Sequence, residues 1–226
     1  MGDTMLSMKT EKTIIVVRHG ALDNPNEIVY NRDSVMDPED IIHLSDEGER
    51  QIKHLSSLLE ERGFRLLLIY SSPSIRAQES AKILKGQLKN EDEIVIVEDL
   101  DDFFSPGPYK EGMKMDKLEE IGGNTYGKYW RDKYGHESPE EVTSRMQRVF
   151  WEIVGNLPLT GAVALVSHGD AIAWLVNSLD PHQNPTPENL REHHYPAKGE
   201  AAIITIGEDC EVKKIEFLKQ STSSVY

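Results

Sequence analysis

The chain has 226 residues, with 25 Lys and Arg against 39 Asp and Glu, which gives a formal net charge of −14 at pH 7. A uniformly acidic surface repels nucleic acids and anionic lipids, so neither nucleic acid nor a membrane is expected as a general partner. The single cysteine, Cys210, excludes an intramolecular disulfide and a cysteine-rich zinc site, and no apolar run reaches the roughly 18–20 residues that span a bilayer.

The first twelve residues lack the apolar segment of a secretory signal peptide. We therefore expect residues 1–12 to be a disordered leader, or one added for expression. Residues 13–219 would then form a single domain of a cytoplasmic protein, which at this length can bury roughly 70% of its unfolded surface.

Short apolar blocks rich in β-branched residues and leucine predict six strands, at residues 13–17, 66–70, 94–97, 162–166, 202–206 and 212–218. The first four are continuous apolar runs, a pattern typical of strands that are buried on both faces of a parallel sheet.

Amphipathic stretches between these blocks predict four helices. The first follows Ser45 and ends near Gly63, and the second begins around residues 72–74, with Pro73 suited to its first position. The third opens on a capping box at residues 138–141, and the fourth begins near Gly169. The alternation of strands and helices predicts an α/β fold, with three layers (α/β/α) around a mostly parallel, doubly wound sheet.

Residues 101–136 interrupt the alternation with many glycines and aromatic side chains. Such an insertion of helices and loops over the carboxyl edge of the sheet is a candidate lid above a pocket. A small satellite core beneath a long loop is the alternative.

Cationic or reactive residues follow three of the predicted strands. The first strand runs into Arg18-His19-Gly20, the second is followed by Arg76, and the block 162–166 runs into Ser167-His168-Gly169-Asp170. Ligands of open parallel sheets bind beyond the carboxyl ends of the strands, so we expect these two arginines and two histidines to share one crevice. An anion would resolve their mutual repulsion, and a phosphate would also offset the unfavourable placement of Arg76 in the first turn of a helix. Gly20 and Gly169 would let a ligand approach the backbone closely.

Together these motifs resemble the histidine phosphatase superfamily, which includes cofactor-dependent phosphoglycerate mutases and many small-molecule phosphatases. The resemblance covers about residues 13–178 and rests on Arg18-His19-Gly20, Leu44-Ser45-Asp46-Glu47-Gly48, Ser71-Ser72-Pro73 with Arg76-Ala77, and Ser167-His168-Gly169. It implies that His19 is a nucleophile that forms a transient phosphohistidine, and that Arg18, Arg76 and His168 bind the phosphoryl oxygens. It also implies hydrolysis of a small phosphomonoester without a metal ion or other cofactor.

The family's proton donor is usually a glutamate after the third strand, and Asp102 stands at the matching position. Aspartate is one methylene shorter than glutamate, and Glu98, Asp99 and Asp101 are competitors for the role of acid.

Family members often place an asparagine several residues after the nucleophile as a phosphate contact, and Asn24 and Asn26 are the candidates here. Arg32 is either a further substrate contact or an ordinary surface arginine.

Three alternatives stay open at this point. A mutase would return the phosphoryl group to substrate instead of water, and a non-catalytic binding module would use the same fold. A metallohydrolase would draw on His193 and His194, although no known metal-binding spacing is present. The sequence also leaves a homodimer open.

Overall fold

The computed structural model describes residues 11–90, 92–158 and 161–220. The predicted leader lies outside these residues except for Glu11 and Lys12. Lys12 is already the first residue of a strand, and its Nζ donates a hydrogen bond of 2.6 Å to the carbonyl oxygen of Val154. The first strand therefore begins one residue earlier than predicted.

The described residues contain one six-stranded sheet, formed by β1 (Lys12–Arg18), β2 (Leu66–Ser71), β3 (Ile94–Ile96), β4 (Ala162–Ser167), β5 (Ala201–Ile206) and β6 (Val212–Leu218). The strand order is β3-β2-β4-β1-β5-β6. The first four strands in this order are parallel, whereas β5 and β6 are antiparallel to their neighbours. All six predicted strands and the mostly parallel sheet are confirmed.

Helices connect the strands, namely α1 (Asp46–Glu61), α2 (Ile75–Gln87), α3 (Pro106–Lys110), α4 (Met115–Ile121), α5 (Lys128–Tyr134), α6 (Pro139–Asn156) and α7 (Gly169–Leu179). The four predicted helices are α1, α2, α6 and α7, and the capping box of α6 is present. Among the described residues, no helix has the length and apolar character needed to cross a membrane.

The predicted start of α2 is wrong, because Pro73 does not occupy the first helical position. Ser74 is the N-cap residue and Ile75 begins the helix. The hydroxyls of Ser72 and Ser74 both donate to the carboxylate of Asp101, which fixes this stretch outside the helix.

The core is divided by the sheet into two layers of apolar side chains. In β1, Ile14 and Val16 pack with the layer that α6 and α7 contribute, whereas Ile15 and Val17 pack with the layer of α1 and α2. This alternation follows from the two-residue period of a strand. The predicted three-layer α/β/α architecture is therefore confirmed.

The apolar block at residues 94–97 does not form a buried strand. β3 lies at the edge of the sheet and pairs only with β2. Val95 is 39% exposed and Ile96 is 45% exposed, and Leu67 of β2 is 42% exposed beside this edge. The apolar composition alone could not distinguish a central strand from an edge strand.

Two glycines fix the distance between α1 and the segment after β1. A Cβ added to Gly20 would overlap the backbone of Gly48, and a Cβ added to Gly48 would overlap the carbonyl oxygen of Ala21. The close approach that Gly20 permits is therefore to the protein's own backbone, and it holds the residue after His19 against α1.

We predict that Gly48→Ala destabilises the protein by about 1–3 kcal/mol, because the added methyl group forces the two backbones apart. Gly155→Ala is the matched control, since a Cβ at Gly155 of α6 meets no atom within 4 Å. Glycine costs up to about 1 kcal/mol within a helix, so this control should be neutral or stabilising. Urea unfolding of both variants provides the measurement, and equal stability of the two would contradict the account of the close contact.

Candidate active site

The loops after β1, β2 and β4 meet at one edge of the sheet. β4 lies between β1 and β2, and the amide of His19 donates to the carbonyl of Ser167 while the amide of Ser72 donates to that of Val166. The predicted convergence is therefore present, and the rings of His19 and His168 lie 5.2 Å apart. A cavity of about 320 Å³ opens beside His19, and His168 is not part of its lining.

His19 lines this cavity and is 1% exposed. Its Nδ1 is 2.8 Å from the carbonyl oxygen of Gly20, which can only accept a hydrogen bond. Nδ1 therefore carries the proton, and Nε2 holds the free lone pair. Burial lowers the pKa of His19 well below its usual value, and the charges of His168, Arg76 and Arg18 lower it further. The imidazole is consequently neutral at physiological pH.

A hydrogen-bond network fixes the second histidine. Nε2 of His168 lies 2.8 Å from the hydroxyl of Ser72, which itself donates to Asp101 at 2.9 Å, so the imidazole is the donor. Burial acts to raise the pKa of Asp101, but hydrogen bonds from His168, Ser74 and the amide of Asp102 outweigh it and lower the pKa. An ionised Asp101 thus holds the imidazole in one orientation.

Arg76 is completely buried and is held by two carboxylates. Its guanidinium donates to Asp33 at 3.1 Å and to Asp102 at 3.2 Å, and it lies 5.2 Å from the ring centroid of Tyr30. Asp33 also accepts a hydrogen bond of 2.6 Å from the amide of Ile75 at the start of α2. Asp33 therefore already supplies negative charge at this helix terminus, so the placement of Arg76 is not by itself evidence for a bound phosphate.

Arg18 is held differently, without an ion pair to any residue in the described ranges. Its Nη1 donates to the carbonyl oxygen of Pro196 at 2.9 Å, and its guanidinium lies 5.2 Å from the centroid of the Tyr195 ring. A Cβ on Gly169 would lie 2.8 Å from the guanidinium carbon. The missing side chain of Gly169 therefore makes room for Arg18 and the Tyr195 phenol, and Gly169 itself lines the cavity.

Three buried side-chain nitrogens in the described part of the protein have no hydrogen-bond partner, and all three belong to this cluster: Arg18 Nε, Arg76 Nε and His168 Nδ1. Leaving a buried polar group unpaired costs about 1–3 kcal/mol. The charges of all three residues lower the pKa of His19, so all three lie near the nucleophile candidate, and of the three only Arg18 lines the cavity. The arrangement is suited to an anion with several oxygen acceptors.

Among the four acidic candidates, Asp102 is the one that lines the cavity. Asp101 is turned toward the serines and His168, Asp99 pairs with Arg148 at the surface, and Glu98 is exposed. Burial acts to raise the pKa of Asp102, but the charges of His168 and Arg76 outweigh it and hold the pKa below its usual value.

Neither asparagine proposed as a phosphate contact lines the cavity. The side-chain amide of Asn24 is used within its own loop, where it donates to the carbonyl of Ile28 at 2.8 Å and accepts from its amide at 3.2 Å. Asn26 is exposed, and its carbonyl accepts a hydrogen bond from Lys114. Asn31 lines the cavity instead.

Arg32 is neither a cavity residue nor a free surface arginine. It donates to the carbonyl oxygen of Asp102 and to Glu137, each at 2.7 Å. Arg145 of α6 binds the carbonyls of Asp101 and Asp102 at 2.8 and 2.9 Å. The two arginines therefore both hold the loop that carries Asp102. Arg32 precedes this loop in the sequence, and Arg145 follows it.

Residues 101–136 form part of the cavity wall and also a small core. Phe103 and Tyr126 stack with centroids 4.1 Å apart and belong to the main hydrophobic core. Trp130 stacks on His136 at 5.5 Å, and this histidine accepts from the amide of Gly107 and donates through Nδ1 to the carbonyl of Thr125. Both sequence-based descriptions of the insertion thus hold in part, while closure of a lid remains a prediction.

Among the described residues, no three His, Cys, Asp or Glu side chains are grouped so that they could hold a metal ion. His193 contacts Gln183 at 2.6 Å and His194 contacts Asp180 at 2.9 Å, so the adjacent pair has separate partners.

Sequence reasoning missed Asp33, Tyr30, Tyr195 and Asp170, although all four contact or neighbour the cluster. Tyr195 donates to Asp170 at 2.7 Å, and both residues line the cavity. The -Ser-His-Gly-Asp- order was the only local signal for Asp170, and Tyr195 belongs to no recognised motif.

The chain is similar to known proteins in sequence pattern and in fold. A model of the histidine phosphatase superfamily (branch 1) matches residues 14–214. A mycobacterial glucosyl-3-phosphoglycerate phosphatase in complex with VO3 is 21% identical, with 92% of this chain and 99% of that chain covered and a TM-score of 0.67. YhfR from Bacillus stearothermophilus is 20% identical, with coverages of 89% and 94% and a TM-score of 0.67. Phosphoserine phosphatase from Entamoeba histolytica is 16% identical, with coverages of 90% and 96% and a TM-score of 0.63. No curated protein sequence matches the chain.

We predict that the protein loses stability as the pH falls below about 6.5, and that His136→Gln reduces this loss. Burial lowers the pKa of His136 in the folded state, so the unfolded chain binds more protons in this range and unfolding is favoured. His19 acts in the same direction, so the variant should flatten only part of the dependence. Melting temperatures between pH 5 and 8 provide the measurement, and an identical slope in the variant would contradict the prediction.

Proposed function

We propose, because the chain belongs to the histidine phosphatase superfamily (branch 1), that it hydrolyses a small phosphomonoester through a phosphohistidine at His19 and without a metal ion. The family, the fold and the phosphatase class predicted from the sequence are confirmed. Glucosyl-3-phosphoglycerate phosphatase and phosphoserine phosphatase share the fold, and their names support a small phosphorylated metabolite as the substrate class.

The observation that carries this proposal is the set of three unpaired buried nitrogens on Arg18, Arg76 and His168. Donors fixed in advance around a reacting group stabilise the charge that develops on its oxygens, because they need no reorganisation during the reaction. A phosphoryl group bound to these residues would accept hydrogen bonds from the Nε atoms of both arginines, and from Nδ1 of His168 when that imidazole carries both protons. Its phosphorus would then lie beside Nε2 of His19, which holds the free lone pair.

In the first step, Nε2 of His19 attacks phosphorus and the bond from phosphorus to the ester oxygen breaks. The leaving alkoxide takes a proton from Asp102 and departs as an alcohol. In the second step, water attacks the phosphohistidine, the bond from phosphorus to nitrogen breaks, and Asp102 takes a proton from the water. Inorganic phosphate and free His19 result.

Asp102 is ionised in the free protein, so it needs a source for the proton that it donates. A phosphomonoester loses its second proton at about pH 6 and therefore enters the cavity partly as a monoanion. The phosphoryl group also brings negative charge and competes for the Arg76 guanidinium that pairs with Asp102 at 3.2 Å. Both effects raise the pKa of Asp102 and favour transfer of the substrate's proton to it.

We predict that His19→Ala abolishes phosphate release from every member of a panel of phosphomonoesters while the fold is retained. The exposed His54 of α1 supplies the matched control, His54→Ala, which should keep full activity. Phosphate release is measured with and without a chelator, and circular dichroism checks folding. Activity in folded His19→Ala, or chelator-sensitive turnover of the wild type, would refute the proposal.

We predict that Asp102→Asn slows hydrolysis of alkyl phosphates by about 10²–10⁴-fold, the usual contribution of general acid catalysis. The loss should be much smaller for p-nitrophenyl phosphate, because nitrophenolate leaves without protonation. Asp99→Asn is the control, since Asp99 pairs with Arg148 outside the cavity. An equal loss for both ester types would show that Asp102 binds substrate but does not donate the proton.

A further inference from the structure

The guanidinium of Arg18 is fixed by groups that do not neutralise it. Arg76 has two carboxylate partners, whereas Arg18 has none among the described residues and contacts the Pro196 carbonyl and the Tyr195 ring. An aromatic face attracts a cation through its quadrupole and leaves the guanidinium hydrogens free to bind another acceptor. A carboxylate in the same place would compete with the phosphoryl oxygens.

Tyr195 is itself held firmly. Its hydroxyl donates to Asp170 at 2.7 Å, and the other oxygen of Asp170 accepts a hydrogen bond of 2.8 Å from Tyr126. The indole of Trp174 donates to the Tyr126 hydroxyl at 2.9 Å. Because Asp170 lies in the first turn of α7, directly after His168 and Gly169, this chain of bonds ties the Tyr195 ring to the segment that carries His168.

The backbone after Tyr195 is bound to the nucleophile motif as well. The amide of Gly199 donates to the carbonyls of His19 at 3.1 Å and Arg18 at 3.3 Å. A Cβ on Gly169 would lie within 3 Å of both Arg18 and the Tyr195 phenol, so these two side chains pack against the same backbone. The ring therefore has little freedom to move away from the guanidinium.

We infer that Tyr195 is a positioning residue that acts through Arg18, and that the Asp170–Tyr126 hydrogen bonds hold its ring in place. This inference rests on the proposed function, since Arg18 is assigned there to the phosphoryl group. The burial of Tyr195 and the neighbouring Asp170 raise the pKa of the phenol, so it stays a neutral donor across the assay range. Tyr195 needs no contact with substrate for this role.

A double-mutant cycle tests the inference. Tyr195→Leu removes the ring and should lower kcat by about tenfold in the wild-type background, with the larger part of the loss in kcat rather than in KM. Tyr195→Phe keeps the ring and should lose markedly less. In an Arg18→Ala background, Tyr195→Leu should change the remaining rate less than about twofold, because the group that it positions is gone. Tyr129→Leu is the control on an exposed tyrosine and should leave the kinetics unchanged.

Binding of inorganic phosphate, measured by calorimetry, separates this inference from the proposed function. Tyr195→Leu should weaken phosphate binding in the protein that retains Arg18 and should leave it unchanged in the Arg18→Ala variant. This result is expected even if no ester is turned over. Equal fold-losses in both backgrounds, for rate or for phosphate affinity, would show that Tyr195 acts independently of Arg18 and would overturn the inference. Failure of the folded wild type to bind phosphate would overturn both proposals.

Discussion

Two arginines, Arg76 fully buried and Arg18 partly buried, have to stay ionised and in place without being neutralised by the protein that holds them, and the rest of the site is organised around this requirement. Asp33 and Asp102 hold Arg76 in place. Asp33 also accepts a hydrogen bond from the first amide of α2, and Asp102 also lines the cavity. Arg18 is anchored by a carbonyl and an aromatic ring. One nitrogen of each guanidinium is left buried and unpaired. Such groups are costly in the empty protein and become favourable when an oxyanion binds.

The local charge around His19 is opposite in sign to the net charge of −14 of the whole chain. The overall field repels nucleic acids and anionic surfaces, whereas the pKa of His19 is lowered first by its burial and further by the charges of His168, Arg76 and Arg18. A small anion is repelled by the acidic surface at long range, but inside the cavity it contacts fixed hydrogen-bond donors at short range. The acidic surface and the cationic groups around His19 thus support the proposal of a small phosphorylated substrate rather than a polyanion.

The sequence was sufficient to predict the strands and the main helices, because each shows a local apolar pattern. It also predicted the convergence of Arg18, His19, Arg76 and His168, because ligands of a parallel sheet bind beyond the carboxyl ends of its strands. It could not predict contacts between distant segments. Asp33 is 43 residues from Arg76, and the ring that holds Arg18 follows α7. The same limit explains the error at Arg32, whose side chain binds the carbonyl of Asp102 and the carboxylate of Glu137. The error at Asn24 has a local cause, because its side-chain amide is used by the loop that carries it. The exposure of β3 depended on strand order, which its composition does not encode.

The central claim is that Nε2 of His19 accepts the phosphoryl group, and it is tested most directly by trapping the intermediate. The protein would be mixed with a substrate found in the phosphomonoester panel, quenched in base to preserve phosphohistidine, and analysed by tandem mass spectrometry and phosphorus NMR. The account predicts one phosphoryl group on His19, attached through Nε2, which appears before steady-state phosphate release and disappears as substrate is exhausted. Turnover at full rate with no phosphorylated His19 at any time, or with the phosphoryl group on another residue, would contradict it.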